Sequence, residues 1–181
     1  MVVDETYIGG DPKNWHADDP RCANIRYGRG THKTPVVALI NADFGECRSA
    51  VAPAVSGKTL RKVIAENVDM AFSTLHTDAL PAHMKIGQEM AAHYVVDHSA
   101  GEYTSEKSNG TNKAENWFSQ LKRSLDGTHR HVSVEHLHRC LGEFDYRCST
   151  SGLTDAESMA ILATRVAGRL TYKVTTARTF Q

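Results

Sequence analysis

Residues 2–10 read VVDETYIGG, and the fold turns on how this stretch is taken. Val2 and Val3 lead into two adjacent carboxylates, Asp4 and Glu5, before Thr6, Tyr7 and Ile8 restore the β-branched and aromatic character of a strand. Gly9-Gly10 then reads as a turn. Asp4 therefore sits inside or at the end of a strand, a position that disfavours aspartate. Fixing a carboxylate there needs an offset, and a local turn or a metal ion would each supply one.

Working outward, residues 11–33 lack periodicity and read as a long loop, with Arg21, Arg26, Arg29 and Lys33 clustered without an acid between Arg21 and Lys33. Loops of this length in compact domains are commonly functional. TPVVALINADFGECRSAVAPAV (34–55) reads as two strands joined by a turn at Asp43 to Gly45. SGKTLRKVIAENV follows, with Leu60, Val63, Ile64 and Val68 at helical spacing. A strand ending near Asp78, a helix over PAHMKIGQEMA and a strand at HYVVD come next. A polar loop (99–112) leads to three helices, KAENWFSQLKRSL, VEHLHRCLGEFDYRC and AESMAILATRVAGRL. The first carries Ala114, Trp117, Phe118, Leu121 and Leu125 along one stripe. This order of elements predicts an α/β domain.

The 181 residues suit a single domain with a sizeable core. Formal net charge is zero, so any surface for an anionic partner has to be local. The four cysteines, Cys22, Cys47, Cys140 and Cys148, form no C-x-x-C pair. Their spacing gives neither a zinc signature nor a disulfide framework, and reduced thiols in a cytoplasmic protein are expected. No apolar run approaches the roughly 20 residues of a membrane helix, so no membrane partner is expected.

Three carboxylates occupy comparable places: Asp4 on the first strand, Asp78 at the end of the fourth, Glu115 on the first turn of the helix after the fifth. Each has an ordinary explanation. Asp4 can make local hydrogen bonds, Asp78 can N-cap a helix beginning at Ala79, and Glu115 can close a variant capping box with Asn112. Gathered together, however, they would repel unless a cation sat among them. Hard oxygen ligands suit Mg²⁺ or Mn²⁺. Two such ions, about 3.5–4 Å apart, would clamp the attacking and leaving oxygens of a phosphodiester displacement. Lys122 lies two helical turns past Glu115 and projects from nearly the same face, where an ammonium would meet phosphate. A rival cluster, His129, His131, His136 and His138 followed by Cys140, has zinc-type donors. Its helical spacing sends His136 and His138 to different faces, which favours packing or DNA-backbone contact.

Taken in order, VDETYIGG, RGTHKTPVV, HTD, DHSAGEY, TNKAENWFSQLKR, HVSVEHLHRCLGEF and GRLTYK resemble the catalytic domain of the ISXO-like insertion-sequence transposases of the DDE superfamily. The resemblance runs from the first residues to Lys173 and implies a ribonuclease-H-like mixed sheet flanked by helices. It also implies that Asp4, Asp78 and Glu115 bind divalent metal, as two Mg²⁺ or Mn²⁺ ions, and a phosphate-holding role for Lys122. DNA, as transposon ends and target, is the implied partner, engaged by a homo-oligomer. Arg26, Arg29 and Lys33 are further candidates for backbone contacts.

Three departures from the family pattern stand out. Ala79-Leu80-Pro81 follows the TD motif where the family carries an acidic and an aromatic residue. Arg147-Cys148-Ser149 replaces an arginine-tyrosine-asparagine stretch. Met1 stands three residues before Asp4, which predicts a shortened strand and a catalytic core (residues 1–181) lacking the family's upstream recognition domain. The leading expectation is a metal-dependent transposase core that cuts and joins DNA. The alternatives are an inactive remnant that still folds, and a ribonuclease-H-like nuclease acting on RNA–DNA hybrids.

Overall fold

The structure, a computed structural model, describes residues 1–25, 31–41, 43, 45–78, 81–96, 112–129 and 132–165. Five strands form one mixed sheet: β1 (Val2–Ile8), β2 (Thr34–Ile40), β3 (Cys47–Val51), β4 (Thr74–Asp78) and β5 (Ala92–Val96). Their spatial order is β3-β2-β1-β4-β5. The β1–β2 and β2–β3 pairs are antiparallel, and β1–β4 and β4–β5 are parallel. β1 pairs with β2 at each of its residues, from Val2↔Ile40 to Ile8↔Thr34.

Because β1 and β2 lie inside the sheet with helices over both faces, their residues need to be apolar on both sides. Val2 and Val3 are each fully buried, and Val36 to Ile40 form a continuous buried run. The β2–β3 turn falls where expected: the Gly45 N–H donates to Asn41 O (2.8 Å), and Gly45 takes φ +71°, in the left-handed region that favours glycine. In the 11–33 stretch, short 3₁₀ turns at Pro12–Asn14 and Pro20–Asn24 supply local order.

Helices α1 (Gly57–Asn67) and α2 (Pro81–Gly87) cover one face, and α3 (Asn112–Ser124) and α4 (Val134–Ser149) cover the other. Ser56 caps α1 by accepting from Thr59 N–H, and Leu60, Val63 and Ile64 face Val3, Val37 and Leu39. On the opposite face Ala114, Trp117, Phe118 and Leu121 of α3, with Leu137, Leu141 and Phe144 of α4, pack against Val2, Val36, Ala38 and Ile40. The sheet thus separates two cores, and consecutive residues of β1 enter different ones. Helix α5 (Asp155–Arg165) buries no side chain.

α2 runs over Pro81–Gly87, and residues 79–80, where a helix capped by Asp78 would begin, lie outside the described residues. Proline suits an opening helical position, where its missing N–H costs nothing. One local expectation is corrected. The sulfurs of Cys47 and Cys148 form a disulfide, with Cα atoms 6.0 Å apart, whereas Cys22 and Cys140 are free. A sequence separation of 101 hid the pair; only the packing of α4 on β3 brings the thiols together. Among the described residues no helix is long and apolar enough to cross a membrane.

Candidate active site at the centre of the sheet

Val2 pairs with His76 where β1 runs parallel to β4. Two residues further along each strand come Asp4 and Asp78, on neighbouring strands that run about 4.8 Å apart. Asp4 follows the alternation of β1 toward the α3 face, where Glu115 occupies the first turn of α3 beside the fully buried Ala114. The Asp4 carboxyl is pushed up to about 6. Burial is the main cause; the N–H of Glu5, 2.8 Å from Asp4 Oδ1, opposes it, and the negative charges of Asp78 and Glu115 add to the rise. Asp4 thus feels both of the other predicted acids, and each makes ionising it harder.

Among the described residues no three acid, histidine or cysteine side chains are gathered tightly enough to make a ready-formed metal cage. His129, His136 and His138 accordingly make no zinc centre there, and His131 lies outside the described residues. The acids around Asp4 are neighbours through their fields. Their chemistry still fits a hard divalent cation: all are carboxylates, and the most buried is held against its own ionisation by its surroundings.

Lys122, exposed on α3, and Lys33, just before β2, line one cleft of about 420 Å³ together with Tyr7, Gly10, Asn14 and Asp126. This cleft opens past the C-terminal end of β1, on the side away from Val2. The two lysines are distant in sequence, and the fold places both cations at one opening. Arg26 and Arg29 lie outside the described residues.

Sequence reasoning passed over His83. It lies on α2 with no exposed side-chain surface; its Nδ1 is 3.2 Å from Asp78 Oδ1 and its Nε2 3.8 Å from Glu5 Oε2. The available signal was its place in a helical stripe with Ile86 and Gly87, all three buried. An imidazole on such a stripe needs polar company in the core. Below it, Thr77 donates to the backbone carbonyl of Asp78 (3.0 Å) and pairs with His93 Nε2 on β5 (2.8 Å). A Cβ at Gly87 would clash with the His93 ring, so glycine is what allows that ring its place.

A mixed sheet in this order, antiparallel on one side of β1 and parallel on the other, with acids on its central strands, defines a ribonuclease-H-like fold. The sequence pattern of the ISXO2-like transposase domain matches residues 1–149, and the chain belongs to that family of DDE transposases. The chemistry of the family is nucleotidyl transfer, and its members act on DNA. Among solved structures, the chain is similar to the catalytic core domain of BIV integrase. Identity is 13% and the TM-score 0.49, covering 81% of this chain and 80% of that one. It is also similar to a chain of the simian T-cell lymphotropic virus intasome in complex with PP2A regulatory subunit B56 gamma. There identity is 10% and the TM-score 0.46, over 81% of this chain but 46% of that one. None of the curated proteins compared with the chain matches it.

Proposed function

We propose that this chain is the catalytic core of an insertion-sequence transposase, cleaving DNA at element ends and joining the released 3′-hydroxyl to target DNA. Asp4, Asp78 and Glu115 would hold divalent metal. The observation that carries this reading is the elevated Asp4 carboxyl, raised by burial and by Asp78 and Glu115, on a strand within the family match. Bound to these acids, Mg²⁺ or Mn²⁺ would supply charge stabilisation for the attacking and leaving oxygens of the phosphodiester. Lys122 and Lys33, sharing a cleft, would hold the DNA backbone through phosphate; Arg26 and Arg29 are the further candidates. Such contacts give register and affinity without reading sequence. The working form would be a homo-oligomer on DNA.

The test is cleavage and joining with Mg²⁺ on three duplexes: one carrying the element's terminal repeats, one random, and one RNA–DNA hybrid. Single-strand cuts at the repeat ends, abolished in Asp4→Asn, are expected. Preferential cutting of the hybrid would replace this reading with a nuclease, and inactivity on all three would leave a folded remnant.

A further inference from the structure

We infer that His83 is a positioning residue that ties Asp78 to the buried Glu5 and so sets which oxygen of Asp78 meets a cation. This deepens the proposed function and rests on reading Asp78 as a metal ligand. The argument begins with the alternation of β1. Asp4 faces the α3 side, so the next residue, Glu5, faces the α2 side, where its side chain is only 7% exposed. A carboxylate in that position needs a polar partner, because burying an uncompensated charge is costly. His83 comes down from α2 into the same space.

Glu5 and His83 are buried, with side-chain exposures of 7% and 0%, whereas Asp78 is 33% exposed. One end is in the core and the other opens to the site. Flanked by two carboxylates, the ring can donate to both only as the imidazolium, with an N–H on each nitrogen; a neutral tautomer donates from one nitrogen alone. Neither ring nitrogen is aligned for a hydrogen bond in this structure, yet each is beside a carboxylate oxygen, at 3.2 Å and 3.8 Å. A modest rotation of Asp78 would bring its Oδ1 into line with Nδ1 and direct its other oxygen outward. Loss of a group that orients a ligand in this way typically costs about 10–100-fold in metal affinity. Meanwhile the Thr77 hydroxyl, paired with His93, holds the Asp78 backbone, so a change at His83 should act on the carboxylate and leave the end of the strand in place.

The alternative is a histidine that only fills space, and the two separate in a Mn²⁺ titration followed by electron paramagnetic resonance, with metal-free melting temperature measured alongside. His83→Leu keeps the volume and removes the donor; Mn²⁺ affinity should fall about 10–100-fold. His83→Gln restores a donor of similar reach and should recover most of that loss, which a purely space-filling role would not predict. Glu5→Gln removes the anchoring charge and should weaken Mn²⁺ binding as well, which provides a second measurement should the leucine variant fail to fold. Wild-type Mn²⁺ affinity in His83→Leu, or in Glu5→Gln where the former does not fold, overturns the inference. Asp78→Asn distinguishes the two levels. If it loses Mn²⁺ while the His83 and Glu5 variants do not, only the role of His83 falls. If Asp78→Asn also binds Mn²⁺ normally, the metal-site reading falls with it.

Discussion

Asp4 and Asp145 are both half-buried aspartates, and in both the carboxyl is pushed up to about 6, chiefly by burial. Their company differs. Asp145, on α4, has Oδ2 accepting from both the N–H and the hydroxyl of Ser49 on β3, at 2.8 and 2.9 Å. Next to it, Ser149 joins the same junction by donating to Cys47 O and accepting from Cys47 N–H, and Cys47 is bonded to Cys148. That corner is a helix-to-sheet joint. Asp4, by contrast, has the N–H of Glu5 and, more weakly, the His83 ring in its favour, and two other acids against it. An elevated carboxyl alone therefore does not mark a reactive centre; what differs is that two further acids add to the rise at Asp4, whereas no other acid contributes at Asp145. A cleft of about 980 Å³ makes the same point. It lies at the joint, lined by Arg48, Asp145, Tyr146 and Arg165, and contains none of the predicted acids.

The contrast should be widest in catalysis. Asp4→Asn removes a proposed metal ligand and should cut single-turnover DNA cleavage by about 10³-fold or more, since metal stabilisation is worth several kcal/mol of barrier. Asp145→Asn, nearly isosteric, should leave cleavage unchanged. Equal losses in the two variants would erase the distinction between site and joint.

Next in size is the disulfide. Reducing Cys47–Cys148, which closes a loop across 101 positions, should lower stability by about 2–4 kcal/mol. Denaturant midpoints with and without dithiothreitol, at equal m-values, would measure this. A reduced protein with an unchanged midpoint would show that α4 docks on β3 without the bond.

Asp145→Ala should cost about 1–3 kcal/mol, because it strands the Ser49 N–H and hydroxyl in a partly buried position. Its response to Mg²⁺ should remain that of the wild type. At Asp4 the pattern should invert: Asp4→Asn should not lower metal-free stability, since it relieves repulsion, but it should weaken the rise in melting temperature caused by Mg²⁺. Thermal melts of the two variants across a Mg²⁺ series would test both.

The smallest effect is on pH dependence. Both carboxyls move from 3.8 to about 6 on folding, so each binds its proton more tightly in the native state. Their contribution to stability is complete below pH 3.8 and is lost as the pH rises through about 6. Metal-free protein should therefore lose part of its stability between about pH 4 and 6, and Asp4→Asn and Asp145→Asn should each flatten that fall. Saturating Mg²⁺ should remove only the share belonging to Asp4, because a bound cation favours the ionised carboxylate. Denaturant midpoints at a series of pH values, with and without Mg²⁺, would show whether the two shares separate.

The order of strands and helices was legible along the chain because the signals are local: alternation in β1, a continuous apolar run in β2, helical stripes in α1, α3 and α4. The candidate acids were legible as an ordered set of motifs, each with an ordinary explanation when taken singly. Lys33 and Lys122 could be named, but that they share one cleft could not. His83 was hidden by its stripe, since a buried imidazole has the same periodicity as a buried leucine. Glu5 was visible beside Asp4, yet its partner lies on another element.

What the residues determined by themselves is the set of elements and where the candidate acids fall on them, because backbone preference and side-chain periodicity act over a few neighbours and need no distant contact. Only the tertiary structure decided the rest. The parallel pairing of β1 with β4 brings Asp4 and Asp78 onto adjacent strands. The docking of α4 on β3 joins Cys47 to Cys148 and Asp145 to Ser49. The descent of α2 onto the sheet puts His83 between Glu5 and Asp78. Each depends on contacts between residues far apart in the chain, and such contacts are selected by the shared burial of two cores on either side of one sheet. A linear pattern carries no record of which distant side chain fills the space opposite.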